Sequence, residues 1–381
     1  MNPSRLSPCR ALLGALLFWL IAALSAGAVE PIRVGHIASL TGKEAAFGVA
    51  TRKGILLAVE EINAAGGVLG RPIEYRVEDI ESKPGEAATA TKMLVARDKV
   101  VVVLGANASS NSLEAAPVCQ NAHVPMMAIS STAPAVTAMG NYIFRICFID
   151  PFQGAVLAKF ARETLHAGRL ALLTSAGAPY SVGLSKVLRE DFIARGGTVV
   201  ADQKYAEGDK DFRAQLTTIR AAKPDVIAAT GYYTEAALIC LQARELGLDI
   251  PIIGGDGWEA PQLTELGGHA VEGTYYSTYF SAENTAPEVR AFVRRYRARW
   301  NGETPEAVSA LGYDAMRLVA DAIRRAGTTE GPALRDAIAA TRDFPGVTGR
   351  TTIDAHRNSA KPAVMLVIRH GRPEFFAAIK P

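Results

Sequence analysis

Two residues that could bind a small molecule follow neighbouring predicted strands. An apolar strand over 225–230 leads into a Gly-Tyr-Tyr turn that contains Tyr232, and a second apolar strand over 251–254 ends in a Gly-Gly-Asp-Gly turn that contains Asp256. In an open α/β sheet, ligands bind outside the carboxyl ends of such strands. An aromatic ring and a carboxylate placed there suit a small molecule with an ammonium group and an apolar surface. The alternative is that both residues only form turns, since Gly-Asp-Gly is common turn sequence.

These strands belong to a longer alternation of strands and helices. A first series has strands at 32–38, 73–79, 100–104 and 124–129, separated by helices at 46–64, 84–97 and 111–121. After Asp150-Pro151 a second series has helices at 153–166, 180–195, 211–222 and 234–246, with strands at 169–174, 198–204, 225–230 and 251–254. Repeated βα units predict parallel sheets with right-handed crossovers and helices on both faces. Residues 285–341 are mostly helical, and the apolar segment AVMLVIRHG predicts a terminal strand. We therefore expect two α/β lobes, with the chain returning to pack on the first.

The N-terminal segment has the features of a secretory signal peptide. Arg5 and Arg10 precede the apolar run ALLGALLFWLIAAL, which gives way to the small residues SAGA. The run is shorter than the ~20 residues that span a bilayer. Cys9 lies before the run, where a lipoprotein cysteine would follow it. We expect cleavage after Ala28 and an exported protein without a lipid anchor.

Composition limits the size, charge and redox chemistry of the mature protein. Residues 1–28 contain two arginines and no acidic residue, so their removal lowers the formal net charge from +3 to +1 and leaves 353 residues. A nearly neutral surface argues against nucleic acid as a partner. That length exceeds what one hydrophobic core usually supports, which favours two lobes. Cys119, Cys147 and Cys240 remain; free buried thiols are expected, although export would permit one disulfide.

Motifs for common catalytic and cofactor sites are missing. Gly42-Lys43 lacks the flanking residues of a phosphate-binding loop, no G-x-G-x-x-G follows the first strand, and no G-x-S-x-G or H-E-x-x-H occurs. The six histidines are scattered without metal-ligand spacing. The sequence thus gives no candidate catalytic, cofactor-binding or metal-ligating residue. We expect no enzyme, with a two-lobed exported enzyme as the alternative.

The order of segments resembles the leucine/isoleucine/valine-binding family of type I periplasmic substrate-binding proteins, which supply ABC importers. The motifs that carry the resemblance span the mature chain: HIASLTG (36–42), KGILLAVEEINAAGGVLGRPI (53–73), FRICFIDPFQG (144–154), GYYTEAALICLQARELG (231–247), PEVRAFVRRYRARWNGETP (287–305) and ALGYDA (310–315). The resemblance implies two doubly wound parallel-sheet lobes joined by three crossings near Asp150, Tyr279 and Lys361. After the predicted signal peptide at 1–28, it places lobe 1 at 31–149 plus 280–360 and lobe 2 at 150–279 plus 361–381.

The resemblance also assigns ligand contacts residue by residue. In lobe 1, Ser109 in LGANASS matches a serine that hydrogen-bonds the ligand carboxylate, and Ser131 and Thr132 in AISSTAP match its backbone and hydroxyl partners. Asp256 stands where the family has an acid facing the α-ammonium, although leucine-binding members have the longer Glu. The aromatic walls would be Phe47, Tyr180 and Tyr232, with Trp258 as a weaker candidate.

The chain departs from the family pattern at one of these loops. AISSTAP is one residue shorter than the usual loop, so the atoms that point inward can differ. At the neighbouring helix, Asn111 and Glu114 have the spacing of a capping box just after Ser109, and free N–H groups at a helix start favour an anion. Each of these residues could instead serve only as a turn or capping residue.

Together these features predict a periplasmic binding protein for an amino acid. We expect a monomer that encloses a branched-chain or other large apolar amino acid between its lobes and delivers it to the permease subunits of an ABC transporter. An aromatic or aliphatic carboxylate without an amine is the alternative ligand, but an unpaired Asp256 would repel an anion. A sensory module that hands the ligand to a receptor is the alternative role.

Overall fold

The protein forms two α/β lobes, each built around one β-sheet. The structure is a computed structural model that describes residues 29–379. The predicted signal peptide at 1–28 lies outside the described residues. Within the described part of the chain, no helix has the length and apolar character that a membrane span requires.

The first sheet has five parallel strands in the order β2-β1-β3-β4-β5. Its strands are β1 (Ile32–Ala38), β2 (Ile73–Asp79), β3 (Val102–Leu104), β4 (Met126–Ala128) and β5 (Ile143–Arg145). The connecting helices are α1 (Ala45–Ala64), α2 (Glu86–Ala96), α3 (Ser109–Ala122) and α4 (Ala135–Ala138). Strands buried on both faces explain why β3 and β4 are continuous apolar runs. This order reverses direction between β1 and β3, which is where such sheets bind ligands.

The second sheet has seven strands in the order β14-β13-β10-β9-β8-β6-β7. Its parallel strands are β6 (Arg169–Ser175), β7 (Thr198–Tyr205), β8 (Val226–Thr230), β9 (Ile252–Gly254) and β10 (Tyr275–Thr278). Its helices are α5 (Asp150–Lys159), continued by a π-helical turn (Phe160–Thr164), α6 (Pro179–Ala194), α7 (Arg213–Ala221), α8 (Tyr233–Glu245) and α9 (Pro261–Gly267). The switch point of this sheet lies between β6 and β8.

The end of the chain forms an antiparallel hairpin on the second sheet. Here β13 (Ala363–Arg369) pairs antiparallel with β10, and β14 (Arg372–Ile379) pairs with β13. The sequence predicted a single terminal strand, and β10 and β14 were not predicted. The tight turn at His370-Gly371, both at positive φ, reverses the chain without a crossover helix.

Three helices lie between β10 and β13 in the chain and return it to the first sheet. They are α10 (Pro287–Arg299), α11 (Ala307–Ala326) and α12 (Gly331–Ala339), followed by the small hairpin of β11 (Phe344–Gly346) and β12 (Gly349–Thr351). Helix α11 packs closely along α1. A Cβ at Gly54 would overlap the backbone carbonyl of Ser309, so glycine is required for this close approach.

The chain therefore passes between the two sheets three times. It leaves the first sheet after β5, returns after β10 and reaches the second sheet again at β13. Asp150, Tyr279 and Lys361, which lie at these connections, are all buried. This architecture confirms the predicted fold class of two doubly wound, mainly parallel lobes.

Candidate ligand-binding site

A small cavity lies between the two lobes, at the switch points of both sheets. Its volume is about 10 Å³, close to the space of one water molecule. One lobe supplies the starts of α1, α3 and α11, and the other supplies residues after β6, β8 and β9. The lining residues are Phe47, Asn107, Ser109, Ser130, Tyr180, Tyr232, Asp256, Gly257 and Val308. The structure thus brings five of the seven predicted site residues to one cavity.

Direct contacts across the cleft show that the lobes are closed. The Tyr233 hydroxyl donates to the backbone carbonyl of Lys43 at 2.5 Å. The Lys43 Nζ lies 2.8 Å from the Glu207 carboxylate, and the ring centroids of Phe47 and Tyr233 are 5.0 Å apart. Because each pair joins residues from different lobes, the cavity is enclosed by the closed form.

Asp256 places a buried carboxylate at this cavity. Gln153 Nε2 donates to Oδ1 at 2.9 Å and the Tyr279 hydroxyl donates to Oδ2 at 2.6 Å. Burial raises the pKa of Asp256, while the hydrogen bonds from Tyr279, Gln153 and Tyr180 oppose the shift. All three donors are neutral, so the negative charge of Asp256 is hydrogen-bonded but not neutralised by them. A carboxylate in this state favours a cation nearby.

A second buried carboxyl group, at Asp150, interacts electrostatically with Asp256 but is not among the residues that line the cavity. Both of its oxygens are buried without a hydrogen-bond partner among the described residues. Burial raises the pKa of Asp150 to about 8, and the charge of Asp256 adds to this. Thr132 and Arg145 favour the charged form less strongly; the Thr132 hydroxyl is close but outside hydrogen-bond geometry. In the sequence, Asp150 precedes a proline at a helix start, which is also typical of an ordinary first-turn residue.

Tyrosine rings form one wall of the cavity. Tyr180 and Tyr232 are stacked with centroids 5.6 Å apart, and Phe47 meets Tyr232 edge-on at 6.0 Å. The Tyr180 hydroxyl accepts a hydrogen bond from the Gly257 N–H at 3.2 Å. A Cβ at Gly257 would lie 2.7 Å from the Gly231 carbonyl oxygen and 3.0 Å from the Tyr180 ring. Glycine at 257 therefore allows the two rings to stack beside Asp256.

Ser109 is the first residue of α3 and lines the cavity. Its Oγ accepts a hydrogen bond from the Ala133 N–H at 3.2 Å, which leaves the hydroxyl proton free to donate elsewhere. The predicted capping box is wrong. Glu114 instead accepts from the Gly85 N–H at 3.0 Å, and Asn111 donates to Glu44 at 2.9 Å. The first N–H groups of α3 consequently have no side-chain cap.

In the loop after β4, Ser130 lines the cavity, whereas the hydroxyl of the predicted Ser131 is used within the loop. The Ser131 hydroxyl bonds to the carbonyl groups of residues 106–108, at 2.9 to 3.1 Å, so only its backbone can serve a ligand. The buried Arg145 donates to the Ser131 carbonyl at 2.5 Å and fixes this turn. The Thr132 hydroxyl is buried without a partner.

Trp258 lies away from the cavity, contrary to its weaker assignment as an aromatic wall. Its Nε1 donates to the Ala229 carbonyl at 3.0 Å, and its ring packs against Gly254 in the core of the second lobe. Cavity residues that sequence reasoning missed are Asn107, Ser130, Gly257 and Val308. Asn107 could have been predicted, because it lies in the loop LGANASS together with Ser109. Val308 lies far along the chain from every predicted site segment, and no sequence feature indicated it.

A two-lobed α/β fold that encloses a small cavity of polar and aromatic residues at both switch points is typical of a type I substrate-binding protein. Residues 31–369 match the model of the periplasmic binding protein family. The chain belongs to this family, within the group related to branched-chain amino acid-binding proteins. Its members are substrate-binding components of ABC transporters and not enzymes, and membership implies a periplasmic location.

Similar proteins support the same assignment. A Leu/Ile/Val-binding protein of Rhizobium johnstonii is 31% identical over 84% of this chain and 87% of its own length. The branched-chain amino acid transporter substrate-binding protein LivJ of Streptococcus pneumoniae, solved with isoleucine, has a TM-score of 0.88 at 36% identity, covering 92% of this chain and 100% of that one. A solute-binding protein of Rhodopseudomonas palustris BisB5, solved with 3,4-dihydroxybenzoic acid, has a TM-score of 0.82 at 25% identity, covering 92% and 97%. Related chains thus hold both amino acids and aromatic acids.

Proposed function

We propose that this protein captures an α-amino acid with a large apolar side chain in the periplasm and delivers it to the permease of an ABC transporter. The observation that carries the proposal is the Asp256 carboxylate, buried at the interlobe cavity with only neutral hydrogen-bond donors. A buried carboxylate is costly unless it is paired. The α-ammonium of an amino acid would supply the missing positive charge.

The opposite lobe offers groups suited to the α-carboxylate of the same ligand. Ser109 has a hydroxyl proton free to donate and lies at the start of α3, where N–H groups favour an anion. The backbone of Ser131 and the unpartnered hydroxyl of Thr132 are the further donors that we assign to this role. A ligand with both charges would therefore bridge the lobes, and neither lobe alone would hold it.

The walls of the cavity favour an apolar side chain. Phe47, Tyr180, Tyr232 and Val308 line it, and burial keeps the pKa of Tyr180 and of Tyr232 well above the usual value, so both rings stay neutral. Ligand entry needs more room than the closed form has, so the lobes must open. We assign this rotation to lobe 1 (31–149 plus 280–360) against lobe 2 (150–279 plus 361–381).

The second candidate ligand is an aromatic carboxylate. The aromatic wall and the relative solved with 3,4-dihydroxybenzoic acid favour it. The carboxylates oppose it: burial raises the pKa of Glu44, of Asp150 and of Asp256, which shows that negative charge is already costly around the cavity. An anionic ligand without an amine would add to this cost.

A thermal-shift screen followed by calorimetry tests the proposal. The panel contains L-leucine, L-isoleucine, L-valine, L-phenylalanine, glycine, L-aspartate, benzoate and 3,4-dihydroxybenzoate. A true ligand at about 100 times its Kd stabilises the fold by about 2.7 kcal/mol. We expect a large apolar amino acid to give the largest shift. Stabilisation by the benzoates alone would instead establish the second candidate, and preference for L-aspartate would contradict the apolar wall.

A further inference from the structure

Glu259 forms a hydrogen bond between the lobes beside the ligand cavity. It follows β9 in the second lobe, is 8% exposed, and its Oε1 accepts from the Ala307 N–H at 2.7 Å. The Thr278 hydroxyl, at the end of β10, donates to Oε2. Both donors are neutral. One carboxylate therefore spans from the second sheet to the first residue of α11.

The helix held by Glu259 also forms a wall of the ligand cavity. Ala307 begins α11, which packs along α1 on the first sheet. The next residue, Val308, lines the cavity between the lobes. A bond to the Ala307 N–H therefore fixes the position of Val308 relative to Asp256, three residues before Glu259. The first N–H groups of a helix also carry partial positive charge, which suits a carboxylate.

We propose that Glu259 is a positioning residue that stabilises the closed form by capping α11 from the opposite lobe. When the lobes rotate apart, Ala307 moves with the first sheet and Glu259 with the second, so the bond breaks and both groups become hydrated. Closing restores the bond and sets Val308 against the ligand. The inference rests on the proposed function only in assuming that the ligand selects the closed form.

The charges around Glu259 make this contact sensitive to pH. Glu306 faces it from the start of α11, Asp256 from its own loop and Tyr276 from β10. Thr278 and the Ala307 N–H favour its charged form, but burial dominates and raises the pKa of Glu259 to about 7. The residues Arg297, Arg372 and Glu283 share an adjoining cavity of about 420 Å³ with it.

The direction of the pH effect follows from the raised pKa. In the open form Glu259 is hydrated and has an ordinary pKa of about 4.3. Between that value and about 7, the closed form binds a proton that the open form does not. Closure is therefore favoured at about pH 5.5 and loses this contribution towards about pH 8. Asp256, Glu306, Asp150 and Glu44 also have raised pKa values, so the contribution of Glu259 is the difference between wild type and variant.

Two substitutions separate the hydrogen bond from the charge. Glu259→Ala removes the acceptor. Glu259→Gln keeps an oxygen for Ala307 and a donor for Thr278, and it cannot titrate. The matched control is Glu265→Gln, an exposed position on α9 of the same lobe. Opening is measured by energy transfer between dyes at Leu69→Cys and Ile193→Cys, exposed positions in different lobes. The native cysteines Cys119, Cys147 and Cys240 are buried and will not compete for the dyes.

The assays are energy transfer in the ligand-free protein and stopped-flow release of L-leucine. At about pH 5.5, where Glu259 is protonated in the closed form, we expect Glu259→Ala to shift the population towards the open form and to speed L-leucine release on the order of tenfold. We expect Glu259→Gln to close like wild type at low pH and to lose part of the pH dependence, and Glu265→Gln to behave as wild type. Wild-type opening and release in Glu259→Ala, or a wild-type pH profile in Glu259→Gln, would overturn the proposal. If L-leucine does not bind even wild type, the ligand assignment fails, while energy transfer still decides the role of Glu259.

Discussion

Replacing Asp256 by asparagine removes one negative charge from the interlobe cavity and leaves the side-chain shape nearly unchanged. The amide oxygen can still accept from Gln153, and the amide nitrogen can donate to the Tyr279 hydroxyl oxygen, which reverses the hydrogen bond that Tyr279 makes to Asp256. Contacts with both residues are therefore retained. The interaction expected to be lost is the proposed charge pair with the ligand ammonium.

The expected cost follows from the burial of that pair. Asp256 is 8% exposed and its protein partners are neutral, so the ammonium would otherwise be desolvated without a counter-charge. Removing one member of such a pair costs about 2–5 kcal/mol, or on the order of 30-fold to several thousand-fold in Kd. The free protein should respond differently. Burial raises the pKa of Asp256, so its ionised form is disfavoured in the fold, and asparagine should leave Tm unchanged or raise it, most clearly above neutral pH.

Calorimetry with the best ligand of the screen and thermal unfolding of the free protein measure the two effects. The control is Asp249→Asn, an exposed carboxylate of the same lobe, which should change neither quantity. Unchanged ligand affinity in Asp256→Asn would refute the assignment of Asp256 as the ammonium partner. A large fall in Tm would show that its negative charge stabilises the fold, contrary to the reasoning from burial.

The remaining predictions concern the other walls of the cavity. Ser109→Ala and Thr132→Ala should each weaken binding by roughly 1–3 kcal/mol, and the methyl ester of the best ligand should bind poorly; an ester that binds like the free acid would contradict both assignments. Gly257→Ala should destabilise the protein by about 1–3 kcal/mol through overpacking against Tyr180 and Tyr232, as measured by denaturant unfolding; wild-type stability would show that the rings can shift. Small-angle scattering should show a smaller radius of gyration with ligand than without, and an unchanged radius would exclude lobe closure.

The sequence predicted the parallel parts of the fold because strand and helix there have different hydrophobic periods. The predicted strand 32–38 and helix 46–64 agree with β1 and α1 to within one residue. The strand β10 was missed because its residues, Tyr275–Thr278, mix aromatic and hydroxyl side chains and do not form the apolar run that marked the other strands. The hairpin of β13 and β14 depends on pairing with β10, which is far away in the chain. Local propensity does not carry that information.

The sequence predicted which strand ends contribute to the site, because sheet topology decides that. It did not predict which of two adjacent side chains lines the cavity or how deeply a side chain is buried. Tyr232 and Asp256 do follow neighbouring strands, and the structure brings both to one cavity. Ser130 and Ser131 are identical in type, but Ser130 lines the cavity while the Ser131 hydroxyl is bonded to the carbonyl groups of residues 106–108. Asp150 resembles an ordinary residue of a helix start. Its burial and raised pKa are not visible in the sequence.

The buried carboxyl groups connect ligand binding to closure. Asp256, Asp150 and Glu259 are buried in the closed form, and burial raises the pKa of each one. Closure without a cation therefore either retains unneutralised charge or takes up protons. In the function that we propose, a ligand ammonium would offset this cost at Asp256, whereas the α11 N-terminus would offset it only partly at Glu259. The ligand would then neutralise the buried charge that the protein itself leaves unpaired. It would therefore bind the closed form more tightly than the open form, and this difference in affinity would drive closure.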